Sequence, residues 1–175
     1  MNIIKLEELQ YELAEPYCCF ENVERYCEEH GGSLVTGWLV HRMSQLNELI
    51  HHAVWRSPVG RLFEITPLDK MNLRGFVVDE TAKRIDTGEG YVPLETRFVP
   101  DLDASPNVVA ACEALNRSEI AFAIGQLERH SYYMQRANRL LAKNQVQLET
   151  RPVSHYYLYK PSTRKAWQEY YANAV

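Results

Sequence analysis

Residue types that together make an activated nucleophile lie close in the chain: the adjacent Cys18 and Cys19, the pair His51-His52, and Glu64. The stretch HHAVWRSPVGRLFEITP, running from His51 to Pro67, reads as two strands joined by a tight turn. In SPVG, proline suits the second turn position and glycine the fourth, as in a type I turn followed by a glycine bulge. That loop pairs Ser57 with Arg61 and Val54 with Glu64. Side chains alternate along a strand, so His52 and Glu64 leave the same face. Their diagonal separation is roughly 7–8 Å at Cβ, within reach of long side chains. A register slip of one residue would put them on opposite faces.

A carboxylate beside an imidazole orients the ring and stabilises the imidazolium. Upstream, YCCFENVERYCEEHGG reads as a helix from about Cys18 to His30, stopped by Gly31-Gly32. A thiol at such a helix start meets a dipole that favours the thiolate, and a nearby imidazolium adds to that. Thiolate, imidazole and orienting carboxylate are the working parts of cysteine hydrolases and acyl transferases. Each residue alone has a plainer use: the cysteine as a small buried side chain, the histidine as a structural strand residue, the glutamate as a solvated edge. Their order along the chain carries the chemical reading.

The elements that must position these groups follow from periodicity. Ile3, Ile4, Leu6, Leu9 and Leu13 have the spacing of an amphipathic helix over residues 3–14, ended by Pro16. After the helix that ends at His30, SLVTGWLVH reads as a strand, Arg42–Glu48 as a polar loop, and the hairpin occupies residues 49–56 and 61–66. RGFVVDE and YVPLETRFV read as further strands, with Pro93 marking an edge or irregularity, and Gly88 and Gly90 fall in a loop. Beyond Pro100-Asp101 the pattern turns helical. Ser105-Pro106 opens one helix, and a longer one is expected from Ser118, with Ile120, Ile124, Leu127, Met134, Ala137 and Leu141 at helical spacing. VSHYYLY (153–159) is a last strand candidate and STRKAWQEYYANA a terminal helix opened by Ser162. Helices, then strands, then helices imply an α+β fold with an antiparallel sheet.

The 175 residues favour one domain or one domain with an appendage, and an apolar fraction of 46% is enough for a core. A formal net charge of −4 with no evident basic patch argues against nucleic acid as a main partner. The N-terminus has no apolar signal segment and no apolar run is long enough to span a bilayer, so no membrane partner and a cytosolic location, in its own or a host cell, are expected. The four cysteines, Cys18, Cys19, Cys27 and Cys112, are then expected to be reduced.

The order of a helix-borne cysteine, a strand histidine and an acid on the next strand resembles the papain-like superfamily, including its NlpC/P60-type and transglutaminase-like branches. More closely, the chain is similar to small, largely uncharacterised bacterial and phage proteins. The matching pieces are CFENV (Cys19–Val23), GG (Gly31-Gly32), GW (Gly37-Trp38), HAVW (His52–Trp55), P-x-G (Pro58–Gly60), ITP (Ile65–Pro67) and FVPD (Phe98–Asp101). They cover roughly residues 17–101 and leave the C-terminal part unexplained. The resemblance favours Cys19 over Cys18, because the cysteine directly precedes the aromatic, and His52 over His51, because the histidine precedes Ala53. Such proteins usually carry aspartate where this chain has Glu64, one carbon longer and still able to accept a ring N–H. Asn22 also matches, and its amide is expected to bind backbone or substrate. Some relatives carry a cysteine-rich zinc tail that this chain lacks.

Other candidates are weaker. Cys27 and His30 have C-x-x-H spacing, but no third ligand completes a zinc site, and Gly31-Gly32 lacks the phosphate-loop pattern. No metal and no cofactor are expected. Trp38 and Trp55 are expected in the core near the site or walling an acyl-binding cleft. Tyr156, Tyr157, Tyr159, Trp167, Tyr170 and Tyr171 form an aromatic C-terminus suited to packing or to a protein or peptide partner. The expectation is a papain-like core over residues 1–101, N-terminal helices on an antiparallel sheet, and a helical extension over 102–175 packed on that core, with 153–159 as its strand candidate. Its expected activity is thiol-dependent hydrolysis or acyl transfer at an amide, isopeptide or thioester, with Cys19, His52 and Glu64 as triad and Asn22, Trp38 and Trp55 around substrate. The alternatives are a catalytically silent binding module of bacterial or phage origin, or an effector or toxin modifying a host protein.

Overall fold

A computed structural model describes residues 2–68, 73–86, 91–148 and 161–172. The fold is α+β. The strand candidate at 153–159 with its three tyrosines, and the loop at Gly88 and Gly90, lie outside the described residues. The chain divides into two compact units, Met1–His41 with Ile50–Lys83, and Arg42–Leu49 with Arg84–Val175. Among the described residues, no helix is long and apolar enough to cross a membrane.

The first unit is a sheet with one helix. Helix α1 spans Cys19–His30, with Cys18 at its N-cap position. Gly31 ends it: φ is +70° and its N–H donates to the Cys27 carbonyl at 2.8 Å. Strand β1 is Glu7–Glu8, β2 Ser33–Met43, β3 Leu46–Arg56, β4 Leu62–Glu64 and β5 Leu73–Val78. Their order is β1-β4-β3-β2-β5. Pairing is antiparallel between β2 and β5 and between β3 and β4, and parallel between β1 and β4. The β3–β4 turn is the expected one. Ser57 N–H donates to the Arg61 carbonyl, Gly60 N–H donates to Ser57, both at 2.8 Å, and Gly60 sits at φ +86°, where a glycine costs least. Trp55 pairs with Phe63, so Val54 falls opposite Glu64 as the sequence required.

Two expectations are corrected here. Residues 3–14 are not a helix, so the sheet is packed by one N-terminal helix rather than several. The segment is extended: Ile4 exchanges two 2.8 Å hydrogen bonds with Phe76 of β5, and Glu7–Glu8 pair with β4. Its apolar residues are shared between two clusters. Leu6 packs with Val35, Leu39, Val54 and Phe76, while Leu9 packs with Phe20, Val23, Ala53 and Trp55. Joining both edge strands curls the sheet shut and removes its edges, and this gain overrides helix periodicity. Second, Arg42–Glu48 is no loop. Strands β2 and β3 run on to a two-residue turn at Ser44-Gln45, with Gln45 at φ +63°. The polar side chains there are used at the tip: Asp101 Oδ1 accepts from Arg42 Nη1 at 2.5 Å and Asn47 Nδ2 at 2.9 Å, and Asp101 N–H donates to Gln45 O at 3.0 Å. This explains the aspartate of FVPD.

The second unit is mainly helical. Strand β6 (Ile85–Asp86) pairs with β7 (Tyr91–Val92), and β8 (Arg97–Pro100) pairs with Leu46–Leu49 of β3, so the expected strand YVPLETRFV is two short strands separated at Pro93. Helix α2 is Pro106–Ala123, capped by the Ser105 hydroxyl accepting from Val108 N–H. It runs through Ser118 and breaks at Gly125 (φ +82°), and α3 follows at Leu127–Ala142. The expected second helix start at Ser118 is thus displaced to the glycine. Helix α4 is Pro161–Ala172, with the Trp167 indole N–H donating to Pro93 O at 3.2 Å. Val108, Ala111, Leu115, Ala137 and Leu141 fill the core between α2 and α3.

Candidate active site

His52 and Glu64 are buried, 4% exposed each. The hairpin register turns both to one face, and His52 Nε2–H donates to Glu64 Oε2 at 2.7 Å. Glu64 Oε1 accepts the Thr66 N–H at 2.8 Å, so both carboxylate oxygens have donors. The Cys19 side chain, at the start of α1, faces the same ring and acts on it by charge and by hydrogen bonding. With Nε2 engaged by Glu64, Nδ1 is the ring atom left for sulfur. Burial alone pushes the imidazolium pKa down. The Cys19 and Glu64 charges and their hydrogen bonds outweigh it and lift His52 to about 10. At neutral pH the ring is a buried cation between sulfur and carboxylate.

Cys18 differs from its neighbour. It is half-buried at the N-cap position, and burial together with the Glu21 and Glu15 carboxylates raises its pKa. Burial and Glu24 raise Cys27, and burial and Asp101 raise Cys112 to about 11. Each of these shifts disfavours the thiolate. His51, on the alternate face, is enclosed by Phe20 and Trp38, and its Nε2–H donates to Ala82 O at 2.7 Å.

The surrounding residues hold structure. Asn22 is fully buried. Its Oδ1 accepts from Glu15 N–H at 3.0 Å, and its Nδ2 donates to Glu15 O at 2.7 Å and to Thr66 Oγ1 at 3.2 Å. It ties α1 to the chain before it and to the residue that holds Glu64. Trp38 is buried, its indole N–H donating to Asp79 Oδ2 at 3.0 Å, and Trp55 donates to Gly31 O at 2.9 Å with its ring against Tyr26 and Phe63. Both indoles are core residues with satisfied polar atoms. Sequence reasoning did not single out Thr66, which lies just beyond the end of β4 and acts on Glu64 through its main-chain N–H. Among the described residues, no group of three or more His, Cys, Asp or Glu side chains is placed to hold a metal ion.

Comparison with protein-family models, with curated proteins and with solved structures finds no match to this chain.

Proposed function

We propose that the protein is a thiol-dependent hydrolase or acyl transferase of papain-like type, acting on an amide, isopeptide or thioester. The observation that carries this reading is the buried His52–Glu64 hydrogen bond at 2.7 Å with the Cys19 sulfur acting on the same ring. With its proton already on His52, the Cys19 sulfur attacks the substrate carbonyl carbon. A C–S bond forms, and the carbonyl electron pair moves to oxygen, which the first N–H groups of α1 are suited to receive. Collapse of the adduct breaks the bond to the leaving group, which takes the proton from His52. Water, or an acceptor amine, then attacks the thioester, passes a proton to His52 and releases the acyl group, leaving the ring protonated as at the start. Glu64 holds the ring throughout.

The test uses an activated ester, p-nitrophenyl acetate, and mass mapping of the quenched protein. The expected result is one acetyl group on Cys19, lost in Cys19→Ser and His52→Ala and formed about 10- to 100-fold more slowly in Glu64→Gln. Acetylation elsewhere, or none, sinks the catalytic reading. A second reading, a silent binding module on the same scaffold, is favoured by the low exposure of Cys19, 9%. It requires that the thiol stay unmodified by every acyl donor while the protein still binds a partner.

A further inference from the structure

The sulfur of the candidate site is carried on a helix, and its histidine and acid are carried on strands. Cys19 stands at the start of α1, and Glu64 is the last residue of β4. Thr66 lies beyond that end, past the Glu8–Glu64 pair where the ladder stops. It is buried all the same, and its N–H donates at 2.8 Å to Glu64 Oε1, the oxygen that His52 does not use. Pro67 limits the Thr66 backbone to extended conformations. That restriction does not place Thr66 against α1.

The placing contact comes from Asn22, one turn after Cys19 on the same helix. The two hydrogens of its Nδ2 are divided, one on Glu15 O at 2.7 Å and the other on Thr66 Oγ1 at 3.2 Å. Its Oδ1 accepts the Glu15 N–H at 3.0 Å. The two Glu15 bonds hold the chain that enters α1, and they would serve any helix start. The Thr66 bond is different: it spans 44 residues and joins the element that carries the sulfur to the residue that clamps the acid. Asn22 and Thr66 are both buried, so water does not compete for this bond. A glutamate also has one more rotatable bond than an aspartate, so its carboxylate gains more from a second anchor.

We infer that Thr66 is a positioning residue of the thiol site: its hydroxyl, held by Asn22, keeps its N–H on Glu64, so that Glu64, His52 and the start of α1 hold one arrangement. This role rests on the proposed thiol chemistry, in which the Cys19–His52 pair is the working part.

The signature is the rate of Cys19 alkylation by iodoacetamide at about pH 6 relative to about pH 9, where an ordinary thiol also ionises. Thr66→Val keeps the N–H and removes the hydroxyl, and the ratio should fall about three- to tenfold, the worth of one hydrogen bond. Thr66→Ser, which keeps the hydroxyl, should stay within about twofold of the parent. In an Asn22→Ala background, Thr66→Val should change the ratio by less than about twofold, because the contact is already gone. A Thr66→Val protein that melts earlier but keeps the parent ratio overturns the assignment. So does a Thr66→Ser ratio as low as that of Thr66→Val, or an equal fall with Asn22 already removed. A parent ratio no higher than that of His52→Ala overturns it too, since no pair is then present to be held. Should Thr66→Val not melt cooperatively, Thr66→Ala, which sets no methyl group against the Asn22 amide, is read in its place. The reaction with p-nitrophenyl acetate keeps the two proposals apart. A parent with a high ratio that is not acetylated on Cys19 fails the catalytic reading, while the Thr66→Val ratio still decides the positioning. An acetylated parent with an unchanged Thr66→Val ratio fails the role of Thr66 alone.

Discussion

His52 carries a positive charge in a buried place, and this single residue organises the candidate site. A buried imidazolium is tolerated because one side faces Glu64 and the other the Cys19 sulfur. Its removal should therefore be felt first at sulfur. A short iodoacetamide pulse at about pH 6 is expected to alkylate Cys19 and to spare Cys18, whose ionisation burial and two carboxylates oppose. His52→Ala should slow Cys19 labelling by about tenfold, whereas His51→Ala, which loses the bond to Ala82 and the ring contacts with Phe20 and Trp38 on the alternate face, should leave it near the parent rate. Peptide mapping after the pulse separates these outcomes; labelling of Cys18 first would reassign the nucleophile by one residue. Asn22 gives a second prediction at this scale. Asn22→Ala removes the partner of the Glu15 amide and the donor to the buried Thr66 hydroxyl, so a loss of about 1–3 kcal/mol is expected in chemical denaturation.

At the scale of elements, the hairpin is where the chain was most legible. Pro58 and Gly60 specify a turn, the turn fixes a register, and the register brings His52 to Glu64; each step is local. The N-terminal segment was illegible for the opposite reason. Its leucines have helical spacing, but the partners of Leu6 and Leu9 lie on β2, β3, β5 and α1, and only closure of the sheet makes the extended form preferable. Arg42–Glu48 misled similarly, because the partner that orders Arg42 and Asn47 is Asp101, far along the chain. Thr66 escaped notice because its role is a main-chain donation to Glu64, which leaves no mark on residue type. The GW motif is explained by packing. A Cβ at Gly37 would stand 2.1 Å from Val77 O and 2.6 Å from the Phe76 ring, so Gly37→Ala forces β5 away. A loss of about 1–3 kcal/mol is expected. Gly60→Ala meets no atom within 4 Å and should lose only about 1 kcal/mol, from its positive φ. Equal losses from the two changes, measured by urea unfolding, would contradict this ordering of strand packing over turn strain.

For the whole molecule, pH acts on each unit through different groups. In the first, His52 is raised from 6.5 to about 10. The folded state holds that proton more tightly than the unfolded chain, so the stabilisation is complete below about pH 6.5 and is lost as pH rises through about 10. In the second, burial and the neighbouring Glu119 charge raise Glu95 to about 8, burial raises Glu119 to about 7, and Glu95 Oε1 is buried without a hydrogen-bond partner among the described residues. A raised carboxyl has the same sign: its contribution is complete below about pH 4.5 and fades as pH climbs to about 8. Asp79 opposes both at the acid end. The Thr81 hydroxyl and Trp38 indole hold it below the usual carboxylate value, so its contribution is lost as pH falls through that range. Stability should therefore peak between about pH 4 and 6 and decline toward alkali in two stages. Glu95→Gln should flatten the stage below about pH 8, by an amount on the order of 1–3 kcal/mol, and leave the later one. His52→Ala should lower stability at pH 6 and flatten the stage between about pH 7 and 10. Melting temperatures of the parent and both variants across pH 4–10 test this separation, and a single decline abolished by either variant alone would show that one group governs both units.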